Sequence, residues 1–189
     1  MVEDLLDTVF LKFYTKSFIM TNIRRYYIPE AIYFITCVTY KRKSLFALSE
    51  NISLFWEIAK NLKKIHPYKL YAHVLISNHF HFLILPLKEN ISIVMQSLKD
   101  NFSRQYKKLH KIKTNIRVWQ YRFWDHVIRN ENDFKNHFDY IHYNPVKHRI
   151  VGRPEDFKQS SYLRWVRKGV YQIGWGHTKL KDLEELNLE

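Results

Sequence analysis

The order of elements along this chain predicts an α+β domain of the ferredoxin-like type. The pattern is β-α-β-β-α-β, a split βαβ, with an additional C-terminal helix. Two observations carry this. Apolar residues switch in that order between strand-like runs and helical spacing. Two of the strand-like runs, 68–76 and 79–86, are separated only by Ser77-Asn78, which reads as a hairpin turn. The sheet should be antiparallel, with helices on one face and the other face left for a site.

Each element has its own signal. Ala31 to Tyr40 (AIYFITCVTY) is β-branched and aromatic, hence a strand. From Ser49 to Ile65, the residues Ile52, Phe55, Ile58, Ala59 and Leu62 recur at helical spacing. Ser49 can cap this helix, and His66-Pro67 stops it. The hairpin follows, its second strand reading HFHFLILP. Asn90 can cap a helix to about Leu109, with Ile93, Met95, Leu98 and Phe102 as its apolar stripe. Val118 to Arg129 reads as the fourth strand. Asn132 or Asp133 then caps a helix that Asn144-Pro145 ends. Residues 1–21 read as an N-terminal extension, with Met20 as an alternative start, 22–151 as the domain, and 152–189 as an irregular basic and aromatic tail.

The chain has 189 residues, with 31 Lys+Arg against 18 Asp+Glu, a formal charge of +13. Its single cysteine, Cys37, excludes an internal disulfide and a Cys-based zinc site. The four glycines all lie at or beyond residue 152. A phosphate-cradling loop needs glycines between a strand and a helix, so Walker-type and Rossmann nucleotide chemistry is excluded and no nucleotide cofactor is expected. No run reaches the ~18 apolar residues of a membrane span, and Glu3, Asp4 and Asp7 spoil a secretory signal. A cytoplasmic protein is expected. A basic, aromatic-rich, glycine-poor composition points to nucleic acid.

One constellation can do chemistry. His79 and His81 are two apart on a strand, so both imidazoles share a face, while Phe80 and Phe82 take the other. Such a pair can hold a divalent metal but needs a third ligand. His137, Tyr140 and Asn144 follow one helical stripe, and the Asn144 amide oxygen suits Mg2+ or Mn2+. Tyr140, one turn earlier, would project toward the same ion and can form a covalent phosphoenzyme. Each residue also has a structural reading: two polar residues on a wet sheet face, a packing tyrosine, and a helix-ending asparagine.

SNHFHFLILP after a strand resembles the HUH motif (His, bulky apolar, His) of single-tyrosine transposases. VWQYRFWDHVIRNENDF, HFDYIHYNPVKHRIVG, the opening RRYYIPEAIYFITCVTYKRK and the tail SSYLRWVRKGVYQIGW resemble the REP-associated tyrosine transposases. The likeness spans about residues 22 to 176. Ile76 and Ser77-Asn78 replace a proline-containing turn, a small departure. The resemblance implies that His79, His81 and Asn144 bind the metal and that Tyr140 is the nucleophile. His137 would relay a proton or orient the site. It also implies cleavage of single-stranded DNA near imperfect REP hairpins, leaving a 5′-phosphotyrosine and a free 3′-OH that can rejoin strands. Domain-swapped dimers occur among such enzymes, so monomer and homodimer both stay open. Nucleoid association follows from the substrate.

Tyr106, near Arg104, Lys107 and Lys108, is a rival nucleophile, although its surroundings read as a DNA-backbone face. Lys107, Lys108, Lys147, Arg149, Arg164 and Arg167 are candidate phosphate contacts, with a steep salt dependence. By analogy with the family, Arg24, Arg25, Tyr26 and Tyr27 are candidate hairpin readers. Trp119 and Trp124 read as packing, while Trp165 and Trp175 lie in the tail, where burial is open. The alternative from another class is a non-catalytic RRM-like module that stacks bases on sheet aromatics. A third reading is a phosphodiesterase without a covalent intermediate.

Overall fold

The computed structural model describes residues 28–177 and Leu180. The N-terminal extension and the candidates Arg24, Arg25, Tyr26 and Tyr27 lie outside the described residues. Among the described residues no helix is long and apolar enough to cross a membrane.

Strands β1 (Tyr33–Val38), β2 (Tyr68–Ile76), β3 (His79–Pro86) and β4 (Trp124–Val127) form one sheet in the order β2-β3-β1-β4. All neighbouring pairs are antiparallel, the arrangement a split βαβ produces. Helices α1 (Ser49–Ile65) and α2 (Ile91–Leu109) cover one face. Phe55, Ile58, Leu98 and Phe102 from these helices pack on Tyr33, Ile35, Phe80 and Phe82. Period-two alternation sends Phe34, His79, His81 and Leu83 to the opposite face.

That opposite face is not open. Helix α3 (Glu131–Lys147) lies on β2 and β3, burying Phe134, Phe138 and Ile141 against Phe34, Ala72, Val74 and Leu83. The tail then packs over α3. Helices therefore flank the sheet on both sides, because α3 carries its own apolar stripe and must bury it.

Several boundaries differ from the sequence reading. Strand β4 is four residues long and does not span 118–129. Trp119 makes only an isolated bridge to Thr39, and Phe123 buries itself in the α1/α2 core, which takes 120–123 out of the ladder. The N-cap of α1 is Leu48, not Ser49. Asn130, not Asn132 or Asp133, caps α3 by accepting from the Asp133 amide at 2.9 Å. Helix α3 also runs past Asn144-Pro145. Pro145 lacks one amide, but the next turn closes through His148 N to Asn144 O at 3.0 Å and Ile150 N to Pro145 O at 2.9 Å.

The tail is structured where a loop was expected. It contains a 3-10 turn at Pro154–Asp156 and helix α4 (Tyr162–Arg167). Leu75 N bonds Gln159 O at 2.9 Å and Ser161 N bonds His73 O at 3.0 Å, pinning the tail to the outer strand. Tyr162, Trp165 and Tyr171 are buried. Trp124, expected as packing, is 44% exposed.

Candidate active site

Strand β3 presents two imidazoles on the α3 side, His79 and His81, with ring centroids 4.9 Å apart. Strand β1 supplies a neighbour through register alone. Thr36 pairs with His81, and its Oγ1 lies 2.9 Å from His81 Nδ1. Asn78 in the hairpin turn does the same for His79, with Oδ1 2.6 Å from Nδ1. An acceptor oxygen there keeps the His79 proton on Nδ1. Fixing one ring nitrogen orients the other, as surroundings of metal-binding histidines do.

Helix α3 closes the site from above. Asn144 Nδ2 stands 3.3 Å from His81 Nε2. A half-turn of the amide exchanges its nitrogen and oxygen and sets the carbonyl oxygen at the same place. One turn earlier, the Tyr140 ring meets the His81 ring edge-on at 5.6 Å. Phe34 stacks on His81 at 5.3 Å and touches Tyr140 at 6.0 Å, so one aromatic side chain holds both. Tyr140, His81 and Asn144 are fully buried. Lys147 lies over the Tyr140 ring with Nζ 4.8 Å from its centroid, a cation–π contact.

His81 is thus flanked by His79 on its own strand and by the Asn144 amide from the helix. Such a donor set fits a divalent ion that accepts nitrogen and oxygen. The structure brings together His79, His81, Tyr140 and Asn144. It does not bring His137 to them. That side chain turns toward Phe34, at 4.8 Å, and stacks on His126 at 4.6 Å. Burial, opposed in part by Asp133, lowers its pKa.

The basic candidates scatter. Lys107 and Lys108 end α2 on the side of the sheet away from the histidines. Tyr106 is there too, stacked on Phe102 at 5.8 Å within the α1/α2 core. Arg149 is exposed just beyond α3, and Arg167 is exposed at the end of α4. Arg164 serves the fold. Its Nη2 donates to Leu70 O at 3.2 Å and Tyr71 O at 2.6 Å, and burial lowers its pKa.

Two neighbours of the site escaped the sequence reading. Thr36 is identified only by strand register. His148 sits 5.3 Å from His79, ring to ring; its place four residues after Asn144 was the available signal.

Comparison with known proteins places the chain in a family. Residues 28–144 match the family model described as "Transposase IS200 like". A Haemophilus influenzae protein assigned to the REP-associated tyrosine transposases is 36% identical over 166 residues, covering 83% of this chain and 94% of that one. The Escherichia coli REP-associated tyrosine transposase is 34% identical over 160 residues, covering 82% and 91%. A solved structure of a REP-associated tyrosine transposase bound to a REP hairpin superposes with a TM-score of 0.71 at 31% identity, covering 86% of this chain and 96% of that one. The chain therefore belongs to the IS200-like transposase family, among its REP-associated tyrosine transposases.

Proposed function

We propose that this chain cuts and rejoins single-stranded DNA beside REP-type hairpins, with Tyr140 as nucleophile. The observation that carries the reading is the meeting of Tyr140 and Asn144, one helical turn apart, with His81. The hairpin-bound relative supports the substrate class.

The Tyr140 phenol oxygen loses its proton and attacks the scissile phosphorus. A bond forms from Tyr140 Oη to phosphorus, and the bond to the 3′ oxygen breaks. That oxygen takes a proton and leaves as the 3′-OH, while the 5′ phosphate stays on Tyr140. Attack by another 3′-OH reverses the step, so the bond energy is kept and no nucleotide is consumed. His79, His81 and Asn144 would hold Mg2+ or Mn2+, which when bound neutralises charge on the phosphate oxygens and orients the group. Thr36 and Asn78 orient the two imidazoles. Lys147 and Arg149, at the end of the same helix, take flanking phosphates.

His79, His81, Tyr140 and Asn144 lie close together within one chain, which supports a monomer, residues 22–151 with the docked tail, as the working unit, with a homodimer the other form in play. It places the enzyme on chromosomal DNA in the cytoplasm. The RRM-like alternative needs an open sheet face, and here α3 and the tail occupy it.

The test uses labelled single strands carrying hairpins from the flanking DNA, with Mg2+ or EDTA. The intact protein should give an SDS-resistant DNA adduct with Mg2+ and none with EDTA. Tyr140→Phe should bind the hairpin and form no adduct. An adduct with Tyr140→Phe would sink the assignment, and cleavage without any adduct would favour a phosphodiesterase.

A further inference from the structure

We propose that His126, Asp133 and His137 form a second divalent-cation site, separate from His79, His81 and Asn144 and suited to a borderline ion such as Zn2+ or Co2+. Their donor atoms, from β4 and the first turns of α3, all lie within 4.8 Å of one another. The Asp133 carboxylate stands between the two rings, with Oδ2 2.8 Å from His126 Nε2 and Oδ1 3.0 Å from His137 Nδ1. Two imidazoles and a carboxylate are a common protein set for zinc. The rings stack at 4.6 Å and 15°, with Trp124 stacked on His126 and Phe34 against His137.

The Arg129 N–H, 2.9 Å from Oδ2, fixes the carboxylate from behind. Ligand edges in a tetrahedral site with ~2.0–2.1 Å bonds are ~3.4 Å. The two Asp133–histidine contacts are already shorter than this, and the longest separation closes by rotation of the part-exposed His126. Ligation would move the His126 proton from Nε2, which faces Asp133 Oδ2, to Nδ1, and the His137 proton from Nδ1, which also lies 2.8 Å from Asp133 O, to Nε2.

An ion here would tie β4 to the helix that carries Tyr140. His137 precedes Tyr140 by one turn, and Phe34 touches both rings. Occupancy would therefore set the seating of the nucleophile without joining the reaction.

The inference rests on these three residues and not on the assignment of His79 and His81. The experiment is Co2+ binding to the full chain by equilibrium dialysis, with visible absorption reporting coordination. His126→Gln should bind one equivalent fewer than wild type and lose the corresponding absorption band. The double variant His79→Ala/His81→Ala should still bind one equivalent through that band. Thermal melts without metal keep the comparison to folded protein. Unchanged stoichiometry in folded His126→Gln would overturn the proposal, as would no binding by the folded double variant. If wild type binds one equivalent and His126→Gln none, this site stands and the His79/His81 metal assignment fails.

Discussion

The two faces of the sheet differ in what they bury. On the α1/α2 side the core is aliphatic and aromatic, from Phe46 and Phe55 to Phe102 and Trp119. Among its buried polar side chains, Asn51 bonds Leu45 O at 2.7 Å and His110 at 2.7 Å. Cys37 lies here as well, and burial pushes its thiol up to about 12, which makes it inert. The α3 side buries His79, His81, His137, His142, Asn144 and Ser161 among aromatic rings. A chain of contacts runs from Asp139 Oδ1 to Tyr171 Oη at 2.7 Å, to His142 Nδ1 at 2.9 Å, and from His142 Nε2 to Ser161 Oγ at 2.7 Å. One face supplies stability through apolar area. The other buries polar groups, and the network from Asp139 to Ser161 offsets part of that cost with hydrogen bonds.

The largest effect should come from the polar face without a change of fold. His79→Ala/His81→Ala is expected to lower adduct formation by roughly a thousandfold or more, about 4 kcal/mol of barrier. Single-turnover cleavage measures it, and near-UV circular dichroism should stay native. Substantial residual cleavage would mean that the polar face is not where the reaction occurs.

The converse variant lies on the apolar face. Phe102→Ala removes a ring that is fully buried among Phe46, Phe55 and Trp119 and should cost about 3–5 kcal/mol of stability. Urea titration gives the loss. Cleavage per folded molecule should be unchanged at low temperature, and a matching fall in single-turnover rate would merge the two faces into one functional unit.

A smaller effect tests whether the tail is part of the polar face. Tyr171→Phe breaks the links to Asp139 and His142 and should cost about 1–3 kcal/mol by leaving buried groups unpaired. Faster proteolysis after residue 152, measured at native pH, should accompany it.

Acid gives the smallest shift and distinguishes the faces again. His73, packed on Trp56, is lowered from 6.5 to about 4 by burial and then by Arg164. His142 on the opposite side is lowered well below 6.5, first by burial. Both rings are neutral when folded, whereas the unfolded chain takes the proton. The His73 contribution is complete above pH 6.5 and is lost as pH falls toward 4, and that of His142 also declines as pH falls below 6.5. Urea unfolding at pH 7 and pH 5 should show the decline, and His73→Gln should reduce it by about one proton's worth of slope. An unchanged slope in that variant would assign the acid sensitivity to the α3 side.

Much of this was legible in residue order. The alternation of HFHFLILP separates the histidines from the phenylalanines, and the spacing of Tyr140 and Asn144 follows from the helical period. Both patterns depend only on local backbone geometry. The short β4 was not legible, because Phe123 leaves the ladder for a core built from distant residues. Nor was the fate of Arg164, which reads as a phosphate contact until β2 carbonyls take its guanidinium.

The sequence by itself determined the βαββαβ order, the shared face of His79 and His81, and the shared turn of Tyr140 and Asn144. Tertiary structure alone decided which stripe of α3 meets that face. It set Asn144 and Tyr140 on His81 and sent His137 to Asp133 and His126. It also brought Thr36 to His81 through strand register and folded the tail over α3. The physical reason is one of range. Backbone periodicity fixes which side chains travel together along an element, whereas packing between elements far apart in sequence fixes what they touch.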